Sequence, residues 1–158
     1  MTAATDVDPL ALERQVCFAL AVTNRAVLAV YRPLLEPLGL THPQYLVMLT
    51  LWDHRKSGPN PLSVKKIATT LQMDSATLSP MLKRLDALGL ITRARNAADE
   101  RSTDVQLTDA GAALRTRALD IPPAVVARLG VDIAELEHLH QALTRINTAA
   151  LAAGALQS

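Results

Sequence analysis

Asp74-Ser-Ala-Thr-Leu-Ser-Pro-Met-Leu-Lys-Arg-Leu-Asp-Ala-Leu-Gly89 is the stretch that decides the fold. Placed on a helix at about 100° per residue, Leu78, Met81, Leu82, Leu85 and Leu88 share one side. Ala76, Thr77, Ser79, Pro80, Lys83 and Arg84 lie on the other. The spacing predicts a helix from Ser75 to Ala87, stopped by Gly89. Just upstream, Ser63 caps a short helix over Val64–Leu71, and Gln72-Met73-Asp74 is a three-residue turn. Two helices joined by so short a turn make a helix-turn-helix. Downstream, Leu90–Arg95 and Thr103–Leu107 read as strands around a polar hairpin, Asn96–Arg101. Residues 62–107 therefore read as a winged helix-turn-helix, in a fold that is mainly α with a small β-wing.

The exposed side of the second helix has the chemistry that entry into a DNA major groove demands. Ala76 and the short hydroxyl residues Ser75, Thr77 and Ser79 let the backbone approach base edges, and Lys83 and Arg84 can anchor phosphates. Pro80 interrupts the helix on this face at the expense of a backbone hydrogen bond, which is easier to explain at a functional surface than on an idle one. Over residues 83–101 there are five basic side chains (Lys83, Arg84, Arg93, Arg95, Arg101) against three acidic ones. An arginine at the wing tip can enter the narrow minor groove, with Asp99 expected to hold a neighbouring arginine by a salt bridge. The candidate DNA-binding set is Ser75, Thr77, Ser79, Pro80, Lys83, Arg84, Arg93, Arg95 and Arg101, with Asp99 in support.

Working outward, residues 1–8 read as a disordered lead-in, and Pro9 to about Pro37 as one helix with Asp8 as its cap and Pro9 in its first turn. Val16-Cys17-Phe18-Ala19-Leu20-Ala21-Val22 is apolar on every side, which calls for burial all round. So small a chain can hardly enclose such a helix alone, so it is expected to meet a partner subunit. Thr41 caps a second helix carrying Tyr45, Leu46, Leu49 and Trp52, and Ser57–Pro61 is a loop. Thr108 caps a helix expected to reach about Arg128 with a bend near Pro122-Pro123. In a last helix from near Val131, Leu136, Leu139, Leu143, Ile146 and Ala150 recur at steps of 3, 4, 3 and 4, a narrow seam of the coiled-coil kind. The chain is expected to be a single domain over 1–158, with residues 9–55 and 108–153 as a helical dimerisation region.

Composition excludes more than it selects. The chain has 158 residues, 49% of them hydrophobic, and a net charge of +1, so any nucleic-acid signal must be local. One cysteine excludes an intrachain disulfide and a Cys-rich zinc site, and a lone thiol fits the cytoplasm. Met1–Pro9 carries two Asp and no basic residue, unlike a signal peptide, and no uninterrupted apolar run reaches the roughly 18 residues of a membrane span. His138 and His140 face about 200° apart on a helix and make no metal site. No catalytic, metal or cofactor motif is present.

The run Asp74–Arg93, with Asp99-Glu-Arg101 and Leu107-Thr-Asp-Ala-Gly111, resembles the MarR family of bacterial transcription regulators. Cys17-Phe18-Ala-Leu, Tyr31-Arg-Pro-Leu-Leu35, Leu40-Thr-His-Pro-Gln-Tyr-Leu46 and Trp52 resemble its organic hydroperoxide resistance branch, one-cysteine type. The resemblance implies a homodimeric MarR-like repressor of a roughly palindromic operator in double-stranded DNA. It also implies that organic hydroperoxide oxidises Cys17, that a low-molecular-weight thiol can then form a mixed disulfide there, and that the operator is released. Tyr31 and His42 would support the thiolate from the opposite subunit. The branch usually has a tyrosine where His42 stands, and some members have one where Ala21 stands. Two alternatives remain open: a MarR-type repressor released by a small phenolic or lipophilic ligand in the dimer cleft, with Cys17 only structural, and a peroxide-reducing thiol enzyme.

Overall fold

A computed structural model describes residues 8–156 of the chain, so the expected lead-in lies, apart from Asp8, outside the described residues. Its helices are α1 (Val16–Leu35), α2 (His42–Arg55), α3 (Val64–Leu71), α4 (Ser75–Ala87), α5 (Asp109–Ala118), α6 (Ile121–Leu129) and α7 (Ile133–Ala152). Strands β1 (Leu62–Ser63), β2 (Ile91–Arg95) and β3 (Thr103–Leu107) form an antiparallel sheet in the order β1-β3-β2. The fold is a winged helix-turn-helix flanked by long terminal helices.

The winged unit forms where the sequence places it because each local signal agrees with the next. Ser63 accepts from the Lys66 amide to cap α3, and Asp74 accepts from the Thr77 amide to cap α4. Gln72 bridges them in the left-handed conformation (φ 53°), and Gly89 (φ 73°) ends the unit's second helix. Leu78, Leu82 and Leu85 of α4 meet Val47, Met48, Ile67, Ile91 and Val105 in one buried cluster. Met81 is only half-buried, and Leu88, expected on the buried side, stands 52% exposed as the C-cap. β1 was not expected: two residues are too few to show an alternating pattern, and pairing Leu62 with Val105 makes the strand.

Gly111 joins this unit to the C-terminal helices. A Cβ there would lie 1.9 Å from the Leu90 carbonyl oxygen, so only glycine lets α5 start this close to the strand entry. The Thr108 hydroxyl accepts from the Gly111 amide and donates to the Gly89 carbonyl at 2.6 Å. Trp52 Nε1 donates to the Gly111 carbonyl at 2.9 Å.

Three outer boundaries differ from expectation. Asp8 caps a turn by accepting from the Leu10 amide, and a 3-10 turn over Leu12–Arg14 follows. Gln15 is extended and donates to the Pro9 carbonyl, so α1 begins at Val16 and not at Pro9. The expected helix from Thr108 to Arg128 is two helices, broken at Leu119-Asp120, because Pro122 takes a first-turn place in a new helix. The last helix begins at Ile133, capped by Asp132. By length and composition Val16–Leu38 is also long and apolar enough to cross a membrane, because scattered polar residues still leave a long apolar window. Asn24 and Arg25 sit near its middle, where a lipid core would tolerate them poorly.

Candidate nucleic-acid interface and thiol region

The exposed side of α4 carries Ser75, Thr77, Ser79, Pro80, Lys83 and Arg84 to solvent together. The Asp74 carboxylate, bonded at 2.6 Å by the Thr77 amide, is held below the usual carboxylate range chiefly by that bond. It therefore stays ionised and fixes the start of α4.

The wing is organised by its own side chains. Asn96 Oδ1 accepts from the Ala98 and Asp99 amides at 2.8 and 3.0 Å, while its Nδ2 donates to Asp104 at 2.8 Å. Asp99 Oδ1 accepts from the Arg101 backbone amide at 3.0 Å. The expected salt bridge from Asp99 to an arginine is absent among the described residues, because the carboxylate is used to shape the turn. Arg93 is the arginine that is held: its Nε donates to Asp86 at 3.0 Å, tying β2 to α4. Arg95 and Arg101 are exposed.

A groove runs between α4 and the wing, lined among others by Ser75, Ala76, Ser79, Arg93, Arg101 and a residue the sequence reading missed, Lys65. Lys65 stands in the first turn of α3, far in sequence from the basic run of residues 83–101. The Ser63 cap sets where α3 begins, but no window of sequence brings Lys65 beside α4 and the wing.

Cys17 lies in the first turn of α1 and is exposed in the single chain. Tyr31 lies fourteen residues further along the same helix, about 21 Å away at 1.5 Å per residue. The Tyr31 and His42 rings meet edge to face, centroids 4.9 Å apart, and Tyr45 lies 6.2 Å from His42. One chain thus brings Tyr31 and His42 together but does not bring Cys17 to them. Burial raises the Tyr31 pKa and lowers that of His42, favouring a protonated phenol and a neutral imidazole, both able to donate. Among the described residues no group of His, Cys, Asp and Glu is arranged to hold a metal ion.

The model of the family described as "Transcriptional regulator SarA/Rot" matches residues 29–116. The organic hydroperoxide resistance transcriptional regulator of Bacillus subtilis is 43% identical over 136 residues, 86% of this chain and 89% of that protein. Reduced AbfR bound to DNA, from a protein of Staphylococcus epidermidis, superposes with a TM-score of 0.70 at 30% identity, covering 89% of this chain and 94% of that one. CouR of Rhodococcus jostii bound to p-coumaroyl-CoA shares the fold, with a TM-score of 0.72 at 22% identity over 87% of this chain and 94% of the other. With the wing, the paired helices and relatives of this identity over most of its length, the chain belongs to the MarR family of winged-helix transcriptional regulators.

Proposed function

We propose that the protein is a homodimeric, cytoplasmic repressor that binds a roughly palindromic operator and leaves it when organic hydroperoxide oxidises Cys17. The observation that carries this reading is the placement of Cys17 and Tyr31 on α1. Fourteen residues at about 100° each bring the two within about 40° of the same helix face, at opposite ends. Two copies of α1 paired antiparallel about a two-fold axis would set each Cys17 beside the other chain's Tyr31 and His42. The apolar faces left exposed on α1 and α7 support such pairing.

The Cys17 thiolate attacks the terminal peroxide oxygen, the O–O bond breaks, and the alkoxide takes a proton to leave as an alcohol. Sulfur is oxidised to a sulfenic acid, and a small cellular thiol can then displace water to form a mixed disulfide. Tyr31 and His42 would lower the cost of the thiolate by donating hydrogen bonds to it. AbfR, a relative by structure, is known in reduced, overoxidised and disulfide forms, which supports a redox reading. The test is a DNA-shift titration with cumene hydroperoxide. Wild type should release DNA and recover with a thiol reductant, while Cys17→Ser should bind DNA and ignore the peroxide. Equal release by both proteins, or by neither, rejects the thiol switch.

One observation favours a second reading, release by a small apolar ligand with an acidic or phenolic group. Leu49 and Leu119, both exposed, line a hollow between α2 and α5–α6 with Trp52, Pro122 and Arg115, while Lys56 there is paired with Asp53 at 2.9 Å. Release of Cys17→Ser from DNA by a phenolic acid would select this reading.

A further inference from the structure

The groove between α4 and the wing contains one basic side chain outside the recognition helix and outside the wing. Lys65 projects from the first turn of α3, is exposed, and lines the same groove as Arg101. The other charges of the groove are already engaged. Arg93 is paired with Asp86, and the Asp99 carboxylate accepts the Arg101 amide. Among the described residues neither Lys65 nor Arg101 has a carboxylate within salt-bridge distance, which leaves two unpaired cations in one groove with Ser75, Ala76 and Ser79.

We infer that Lys65 and Arg101 both bind the phosphate backbone of duplex DNA in this groove, Lys65 acting as an anchor that reads no base. The inference rests on the DNA reading above and extends it to a residue of α3. With the exposed face of α4 in the major groove, a sugar-phosphate strand must pass between that helix and the wing. A lysine is a point-charge phosphate binder on a flexible stem, and such contacts fix register without selecting sequence. Duplex binding by a dimer with two such anchors would therefore weaken with salt more steeply than α4 and the wing alone require.

The test uses the full-length protein and a fluorescein-labelled duplex of mixed sequence, about 30 base pairs long, with anisotropy read from about 50 to 200 mM KCl. Each lost phosphate contact lowers the slope of log K against log salt by about 0.9, so Lys65→Ala in a dimer should lower it by about 1.8. Arg101→Ala should also lower it, and Arg128→Ala, a charge change on α6, should not. Unchanged circular dichroism and melting temperature check that Lys65→Ala still folds. If Arg101→Ala flattens the slope and Lys65→Ala matches Arg128→Ala, the inference for Lys65 is overturned while the DNA reading stands. If neither groove variant changes the slope, the strand does not lie in this groove and the inference falls. If the wild type shows no salt-dependent duplex binding, the DNA reading itself falls, and this inference with it.

Discussion

The terminal helices α1 and α7 are richer in apolar residues than the winged unit, yet only the winged unit has its apolar face covered within a single chain. Ile67, Leu78, Leu82, Leu85, Ile91 and Val105 of the winged unit are at most 1% exposed. Of the twenty residues of α1 only Leu35 is buried, and of the twenty of α7 none is. Val16, Ile133 and Ile146 stand 61%, 59% and 51% exposed. Exposed apolar area of this extent on two long helices marks an association surface. The winged unit shares with α2, α5 and α6 one solvent-excluding core that is complete within a single chain, and α1 and α7 are left largely uncovered.

The strongest way to break this contrast is Gly111→Ala, which drives a methyl group into the Leu90 backbone carbonyl. It should destabilise the protein by about 3 kcal/mol or more, by the same amount at every protein concentration, in a urea titration. A near-neutral result would mean that α5 is not seated on the winged unit. Next in size, Ile146→Asp should leave the winged core intact but remove about 2–3 kcal/mol of burial per copy at a subunit contact. Sedimentation should then show a shift toward monomer, and the melting temperature should depend more strongly on concentration. An unchanged assembly would place the interface elsewhere on the arms.

The smallest effect sharpens the contrast through pH. Burial depresses the His42 pKa, so the unfolded chain binds the proton more readily than the folded one. Stability present above the ordinary histidine value is therefore lost as pH falls through about 6.5 toward the lower folded value. The melting temperature should drop between about pH 7.5 and 5.5, and His42→Gln should drop less. An equal drop in both proteins assigns the acid sensitivity to other groups.

The parts legible in the sequence are those where local chemistry and packing coincide. Ser63, Asp74 and Gly89 mark the ends of α3 and α4, and the leucines of α4 point to the core they reach. Thr103–Leu107 reads as a strand after a polar hairpin, and the structure buries its Val105 in register with Arg93. What failed depended on geometry that no window of sequence contains. Asp8 has the composition of a helix cap but spends its carboxylate on a turn. Asp99 has the charge to hold an arginine but shapes the wing, and Asp86, seven residues before Arg93, takes that role. Lys65 was invisible as an interface residue because its groove is assembled from three separate elements. Cys17, Tyr31 and His42 were found by likeness, and the single chain joins only the last two.

The close seat of Gly111 also decides where this molecule is stiff. The start of α5 is pinned by Trp52, by the Thr108 hydroxyl and by van der Waals closeness to Leu90, so it behaves as part of the same rigid body as the wing. The next joint along the chain is Leu119-Asp120, where the Asp120 amide reaches the Arg117 carbonyl only at 3.5 Å. A torque applied to α7 passes the break at Gly130–Asp132 and then this joint before it reaches α5. Rotation that passes this joint turns α5 and the wing together as one lever, with little backlash at Gly111.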